Sequence, residues 1–287
     1  YFLFIAGVVN VVLNLFFVIG FHMDVAGVAI ATVISQCISA GLVLLCLVKS
    51  HAPYQVNLRH LRIKKDKLLG MVKIGLPAGI QGCSFSISNV LIQSSINSFG
   101  AVAMAGNTAA SNIEGFVSTA MDAFSQAALS FTGQNVGAGK LKRVNRILLL
   151  CVALVTGTGL VLGIGAYLLG PQLLGIYSTE AEVIAFGMRR MSICCVLQFF
   201  GGLMGVMVGV LRGMGYSFVP MAITIGFVCG FRVIWILTVF ALLPTLEVIY
   251  ISYPITWGLA ALCDVLCFFF VRKHLAKKQQ LASVEGK

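Results

Sequence analysis

Charged side chains are scarce in this chain. Asp, Glu, Lys and Arg together make up 10% of 287 residues, against about 25% in a soluble globular domain. With 59% apolar residues and a mean hydropathy of +0.99, the chain belongs in lipid. Histidine is rare as well. The four copies, His22, His51, His60 and His274, all lie outside the cores of the long apolar runs. Neither an H-E-x-x-H nor a G-x-S-x-G pattern occurs, which argues against a membrane-embedded hydrolase. The nine cysteines sit in hydrophobic runs without metal-ligand spacing, so they read as small buried hydrophobes rather than a disulfide framework or a metal centre. Methionine is absent from position 1, and Tyr1 already stands in an apolar stretch with no basic n-region or cleavage site. The chain therefore reads as a fragment of a longer protein, not as one that opens on a signal peptide.

What is abundant is apolar sequence of membrane-spanning length. A bilayer core takes roughly 20 apolar residues per helix, and eight candidate spans follow: 1–20, 25–48, 68–99, 105–133, 146–169, 183–211, 218–241 and 248–271. Turn formers separate them, among them Gly100, Gly170-Pro171, Gly213 to Gly215 and Pro244. Pro77 and Pro254 lie within spans and predict kinks. The fold class is all-α and polytopic, organised as spans 1–49, a basic linker 50–67, a bundle 68–272 and a basic tail 273–287.

Charge orients the spans. With the linker placed on the cytoplasmic side, alternation brings Lys140, Lys142, Arg143 and Arg146, the Arg212 turn and the tail to that side as well. All but Arg189, Arg190 and Arg232 of the twenty basic residues then share it, as membrane topology demands. The net charge of +11 is thus a topology signal with affinity for anionic lipid, and calls for no nucleic acid. Localisation is read as the plasma membrane, multi-pass, with linker and tail cytoplasmic.

Polar groups inside the spans mark the functional candidates, because each needs a partner or a cavity. Ser86, Asn89, Gln93 and Asn97 recur at helical spacing on the third span. On the fourth, Asn107, Ser111, Glu114, Ser118 and Asp122 form a second stripe, with Glu114 and Asp122 about 12 Å apart along the axis. Helix-to-helix bonding accounts equally well for the amides and serines. The two carboxylates point instead to a wet cavity that receives a substrate cation or a proton. Arg232 lies mid-span with Asp264 as a candidate partner, and the default for Arg189-Arg190 is snorkelling to the headgroups. Asn10 and Asn14, one turn apart, read as an interhelical amide pair. A weak echo at an offset of about 219 relates the first two spans to the last two, as in repeat-built transporters.

Four local patterns carry a family resemblance. Gly133-Gln134-Asn135-Val136-Gly137-Ala138-Gly139-Lys140 resembles the G-Q-N-x-G-A-G-K signature of the multidrug and toxic compound extrusion (MATE) transporters. Gly75-Leu76-Pro77 is similar to the G-x-P opening that family's C-lobe, Leu211-Arg212-Gly213-Met214-Gly215 to its L-R-G-x-G turn, and Gly27 to Thr32 to the G-x-x-x-A-T of its sixth helix. The resemblance implies a two-lobe, six-plus-six helix fold of which this chain holds the last two N-lobe helices and the C-lobe, leaving the first four helices as its missing partner. It implies export of small organic cations in antiport with protons or sodium, with no other cofactor. A lipid-precursor flippase of the wider superfamily is the alternative, and a receptor has no use for the signature. Two departures stand out. No acid occurs between Asp66 and Glu114 or between Glu182 and Glu247, where many members carry coupling acids. The N-x-x-x-D-P ion-coupling pattern of other members is met by Asn10 but has Asn14 and Leu15 in place of the acid and proline.

Overall fold

The structure, a computed structural model, describes residues 2–50, 55–57 and 62–285, with the side chains at 276 and 278–285 outside the description. Tyr1, His51, Pro53, Arg59, His60 and Lys287, all named in reading the sequence or belonging to its basic segments, lie outside it too.

Chain contacts divide the molecule into two compact units, Tyr1–Lys67 and Leu68–Lys287. The first holds α1 (Phe2–Leu15), which runs on as a π-helical turn (Phe16–Gly20), and α2 (Asp24–Lys49). α2 buries Gly27, Ala31, Ser35 and Ser39, one every fourth residue, so that a stripe of small side chains lets α1 approach closely.

The second unit begins within α3 (Lys65–Asn97), whose first turn takes up the end of the basic linker. It continues through α4 (Ala101–Gly137), α5 (Leu141–Leu168), the short α6 (Gly170–Gly175), α7 (Ala181–Cys194), α8 (Phe199–Gly213), α9 (Phe218–Ile223), α10 (Arg232–Trp235) and α11 (Leu246–Glu285). π-helical turns at Thr224–Phe231 and Ile236–Phe240 flank α10. Large apolar side chains cover the outside: Phe116, Leu237 and Phe270 are each more than 70% exposed. That is the pattern of helices solvated by lipid rather than water.

α4 is the hub, packed against α8, α5 and α7. Its seam with α8 depends on missing side chains. A Cβ on Gly209 would stand 2.5 Å from the Ser125 carbonyl oxygen, and one on Gly213 would stand 2.8 Å from both the Leu129 oxygen and Thr132 Cβ. The signature at the end of α4 and the Leu211–Gly215 segment therefore meet at one close crossing, with Gly213 also 3.1 Å from the Gly133 nitrogen by the same construction. Gly139, at φ 72°, then turns the chain, and the Lys140 N–H closes on the Asn135 carbonyl at 2.8 Å.

The structure corrects the span list in one place. Among the described residues six helices are long and apolar enough to cross a membrane, and a bent pair makes a seventh. α4 is an unbroken helix over the expected span 105–133, its polar stripe leaving it less apolar than those six. The expected continuous span 183–211 is that bent pair: α7 and α8 meet at 47°. Across the break Gln198 N–H bonds Cys195 O and Phe200 N–H bonds Leu197 O, three residues back instead of four, which tightens the backbone. α5 fits the corner only through Gly163, where a Cβ would lie 2.2 Å from Cys195 O. α3 and α11, by contrast, each continue through their prolines, Pro77 and Pro254. α11 also extends as helix into the basic tail.

The weak internal echo is not matched in local structure: Ile5 to Gly7 lie within the α-helix Phe2–Leu15, whereas Thr224 to Gly226 open the π-helical stretch Thr224–Phe231.

Candidate functional site

Three helices build a continuous polar chain in the second unit, running from exposed Asn97 on α3 to the buried Asn107, Glu114 and Arg190. On α4, Asn107 and Glu114 are seven residues apart and share a face, so both point at α7. There Arg190 makes a fork: Nε donates to Glu114 Oε1 at 2.8 Å, Nη2 to Oε2 at 2.7 Å, and Nη1 to Asn107 Oδ1 at 2.7 Å. Arg190 is 5% exposed and Glu114 7%. Asn107 Nδ2 passes the chain to Gln93 Oε1 of α3 at 3.2 Å, and Gln93 Nε2 to Asn97 Oδ1 at 3.0 Å. The two polar stripes read from the sequence are thus bonded to each other through Gln93 and Asn107.

The assigned roles need correction. Arg190 does not snorkel; it is the partner that satisfies Glu114, so that carboxylate has no need of water or a substrate cation here. Adjacent helical residues point about 100° apart, and only Arg189 faces out, 3.5 Å from Glu247 with both side chains about half exposed. The sequence held a signal for this: an Asn-Glu pair at i, i+7 offers a buried arginine two acceptors on one face.

Behind the pair stands an aromatic wall from α11. The Arg190 guanidinium carbon lies 5.7 Å from the Tyr250 ring centroid and 5.3 Å from that of Tyr253, within cation–π range. Arg232, 1% exposed, lies 4.3 Å from the Tyr253 centroid and donates through Nη2 to Thr256 Oγ1 at 2.9 Å. It does not meet Asp264. Thr256 and Asp264 are eight residues apart, about 12 Å along the helix, beyond the anchored guanidinium. Arg232 has no acidic partner among the described residues, and its Nε and the Tyr250 hydroxyl are both without a protein partner. Two guanidiniums against one carboxylate leave this centre one positive charge in excess.

The remaining candidates are scattered. Asp122 is exposed on α4, and Asn89 is exposed on α3, one turn from Gln93. At the middle of α3, Arg212 Nη2 donates to Gln81 Oε1, and Gln81 Nε2 to Thr224 Oγ1 at 2.8 Å. Within the first unit Asn10 Nδ2 donates to Ser35 Oγ at 3.1 Å, an interhelical bond, while Asn14 Nδ2 donates back to Asn10 Oδ1 at 3.1 Å. Asn10 edges a groove of about 230 Å³ together with Thr32, Gln36 and Ser39. No cluster of His, Cys, Asp or Glu suited to a metal ion occurs among the described residues.

Known proteins place this geometry. The chain is 25% identical over 288 residues to the probable multidrug resistance protein YoeA of Bacillus subtilis, covering 97% of this chain and 61% of that protein. It superposes on a crystal structure of MATE in complex with MaL6 with a TM-score of 0.86 at 19% identity, over 95% of this chain and 62% of that one. A MOP superfamily transporter from Pyrococcus furiosus, in which a reverse polarity of the binding pocket suggests a different function, gives 0.83 at 21% identity, over 94% and 61%. The chain therefore spans about three-fifths of the length of these relatives. The MatE family profile matches residues 77–238, more than half of the sequence, including Gln93, Asn107, Glu114, Arg190 and Arg232 of the polar centre. The chain belongs to the MatE family.

Proposed function

We propose that the protein is a secondary active exporter of amphipathic organic cations, working by alternating access in antiport with protons or sodium. The observation that carries this reading is the polar chain Asn97–Gln93–Asn107–Arg190–Glu114, built across three helices of a MatE chain whose outer faces are apolar. Polar groups in such a position are costly unless they find partners or a cavity, and within membrane spans they commonly mark a substrate or ion pathway. Glu114 is engaged by Arg190, so it acts on substrate only when that pair opens. Asp122 and the exposed amide Asn89 are the acceptors for a cation, joined by Asn97 when its bond from Gln93 opens. Asn10 and Asn14 provide neutral oxygen ligands for a coupling ion in the first unit.

A second reading is movement of an anionic lipid precursor. It is favoured by the excess positive charge at Arg190 and Arg232, and it accords with the reverse pocket polarity of the Pyrococcus furiosus relative. One experiment separates the two. The full-length protein is reconstituted into liposomes, and a fluorescent organic cation is followed under an imposed proton or sodium gradient. Accumulation driven by one gradient supports the antiporter and names the ion. Folded protein that ignores the dye under both gradients, but moves a fluorescent anionic lipid between leaflets, supports the alternative.

A further inference from the structure

Among the described residues, Asp264 is the one buried acid that neither the polar centre nor the motifs use. It is 0% exposed, and neither carboxyl oxygen has a protein partner. Its surroundings are apolar: Ala260, Ala261, Phe268 and Val271 are buried along the same helix, at the three- and four-residue spacing that puts them on the face carrying Asp264. That face joins two apolar clusters, one containing Met204 and Val208 of α8, the other Phe268 and Val271 with Met207 and Leu211.

The helices packed against α11 offer it no counter-charge. On α7, Arg189 is held by Glu247 and Arg190 by Glu114, while Glu182 is exposed near the far end. Arg212 of α8 is held by Gln81 and Arg232 of α10 by Thr256. The thiols of these elements are Cys194, which donates to the Tyr250 carbonyl, with Cys195 and Cys229. Tyr216 packs at the α8–α9 turn. On α11 itself the nearest titratable groups are Cys263 and Cys267.

An ionised carboxylate with no solvent exposure and no protein partner is costly in such a place, so the form that fits this conformation is the neutral acid. Arg272, where the basic end of α11 begins, is eight residues on, about 12 Å along the axis. A modest parting of α11 from α8 on that side would admit water.

We propose that Asp264 is a proton-binding residue of the transport cycle. In the closed packing seen here one carboxyl oxygen holds the proton. When α11 and α8 part toward the basic end, water hydrates the carboxyl, which releases H⁺ and becomes the carboxylate; reclosure requires that a proton be taken back. The inference rests on the exporter reading for its role in flux, but not for the existence of the proton site.

Two measurements on the full-length protein keep these apart. Infrared difference spectroscopy during a pH titration reports the carbonyl stretch of protonated carboxyls. A titrating band present in wild type and missing from Asp264→Asn, with the protein still monodisperse, is expected; an unchanged band overturns the proposal. In proteoliposomes, Asp264→Asn is expected to lose at least tenfold of proton-driven dye accumulation while keeping gradient-free exchange of the same dye, and Asp264→Glu to recover part of it. Proton-driven accumulation equal to wild type, or loss of both activities in a folded variant, overturns it. If wild type moves no dye under any gradient, the exporter reading fails, and the infrared band alone decides the proton site.

Discussion

Arg190 and Glu114, 76 residues apart in sequence, meet in a two-pronged ion pair of 2.7 and 2.8 Å inside the second unit. The pair fixes α7 to α4 just before the chain bends into α8, and Asn107 carries the same guanidinium toward α3. Its buried charges depend on each other, and from that dependence the first predictions follow.

Glu114→Gln should destabilise the protein strongly, by about 3–5 kcal/mol, because it leaves a buried guanidinium without its anion. The double change Glu114→Gln with Arg190→Met should recover most of that loss. Thermal unfolding of the purified protein in detergent measures both.

Arg190→Lys keeps the charge but not the fork. A single ammonium cannot reproduce the planar, two-pronged approach to Glu114 together with the bond to Asn107. A loss of about 1.5–3 kcal/mol is expected from the charged hydrogen bonds given up, again read as a lowered unfolding temperature. A lysine variant as stable as wild type would show that charge alone matters.

Gly209→Ala should cost about 1–3 kcal/mol through overpacking, since the added methyl meets the Ser125 carbonyl oxygen at 2.5 Å. Gly157→Ala on α5 is the control. Nothing lies within 4 Å of its Cβ position, and the helix gains from the substitution, so this variant should be neutral or slightly more stable. Melting both variants side by side tests the close α4–α8 crossing.

Gln81→Leu removes the amide that bonds both Arg212 and Thr224. α3 buries only Gln81, Ser88, Ile92 and Ile96, so it should loosen first. Hydrogen exchange of amides near Gln81 should speed up while α4 and α8 keep their protection. Uniform loss of protection would contradict this.

The architecture was legible because hydrophobic runs and basic turns are local signals that need no partner. Family membership rested on short glycine motifs, and the structure explains their joint presence: Gly133 and Gly213 meet where α4 crosses α8. The site was legible only in part. The stripes on α3 and α4 followed from spacing, but the partner of Glu114 lies on a helix whose twin arginines looked alike in sequence. Burial separates them, and burial is a tertiary property. The bend before α8 was hidden for a related reason, since no proline marks it and its tight turn depends on how α5 passes at Gly163. The candidate pairing of Arg232 with Asp264 is not formed, and a count of charges says nothing of height along a helix.

With Glu114 tied to Arg190, Asp122 is the exposed carboxylate on α4, and the proposed exporter would use it to receive a substrate cation. An exposed Asp122→Asn change should alter stability by no more than about 0.5 kcal/mol. The most direct test is therefore gradient-driven accumulation of a fluorescent organic cation by proteoliposomes holding the full-length protein, wild type beside Asp122→Asn. The account predicts concentrative uptake by wild type under one ion gradient and at least a tenfold loss in the equally stable variant. Uptake that is the same in both, or absent from folded wild type under proton and sodium gradients alike, would contradict it.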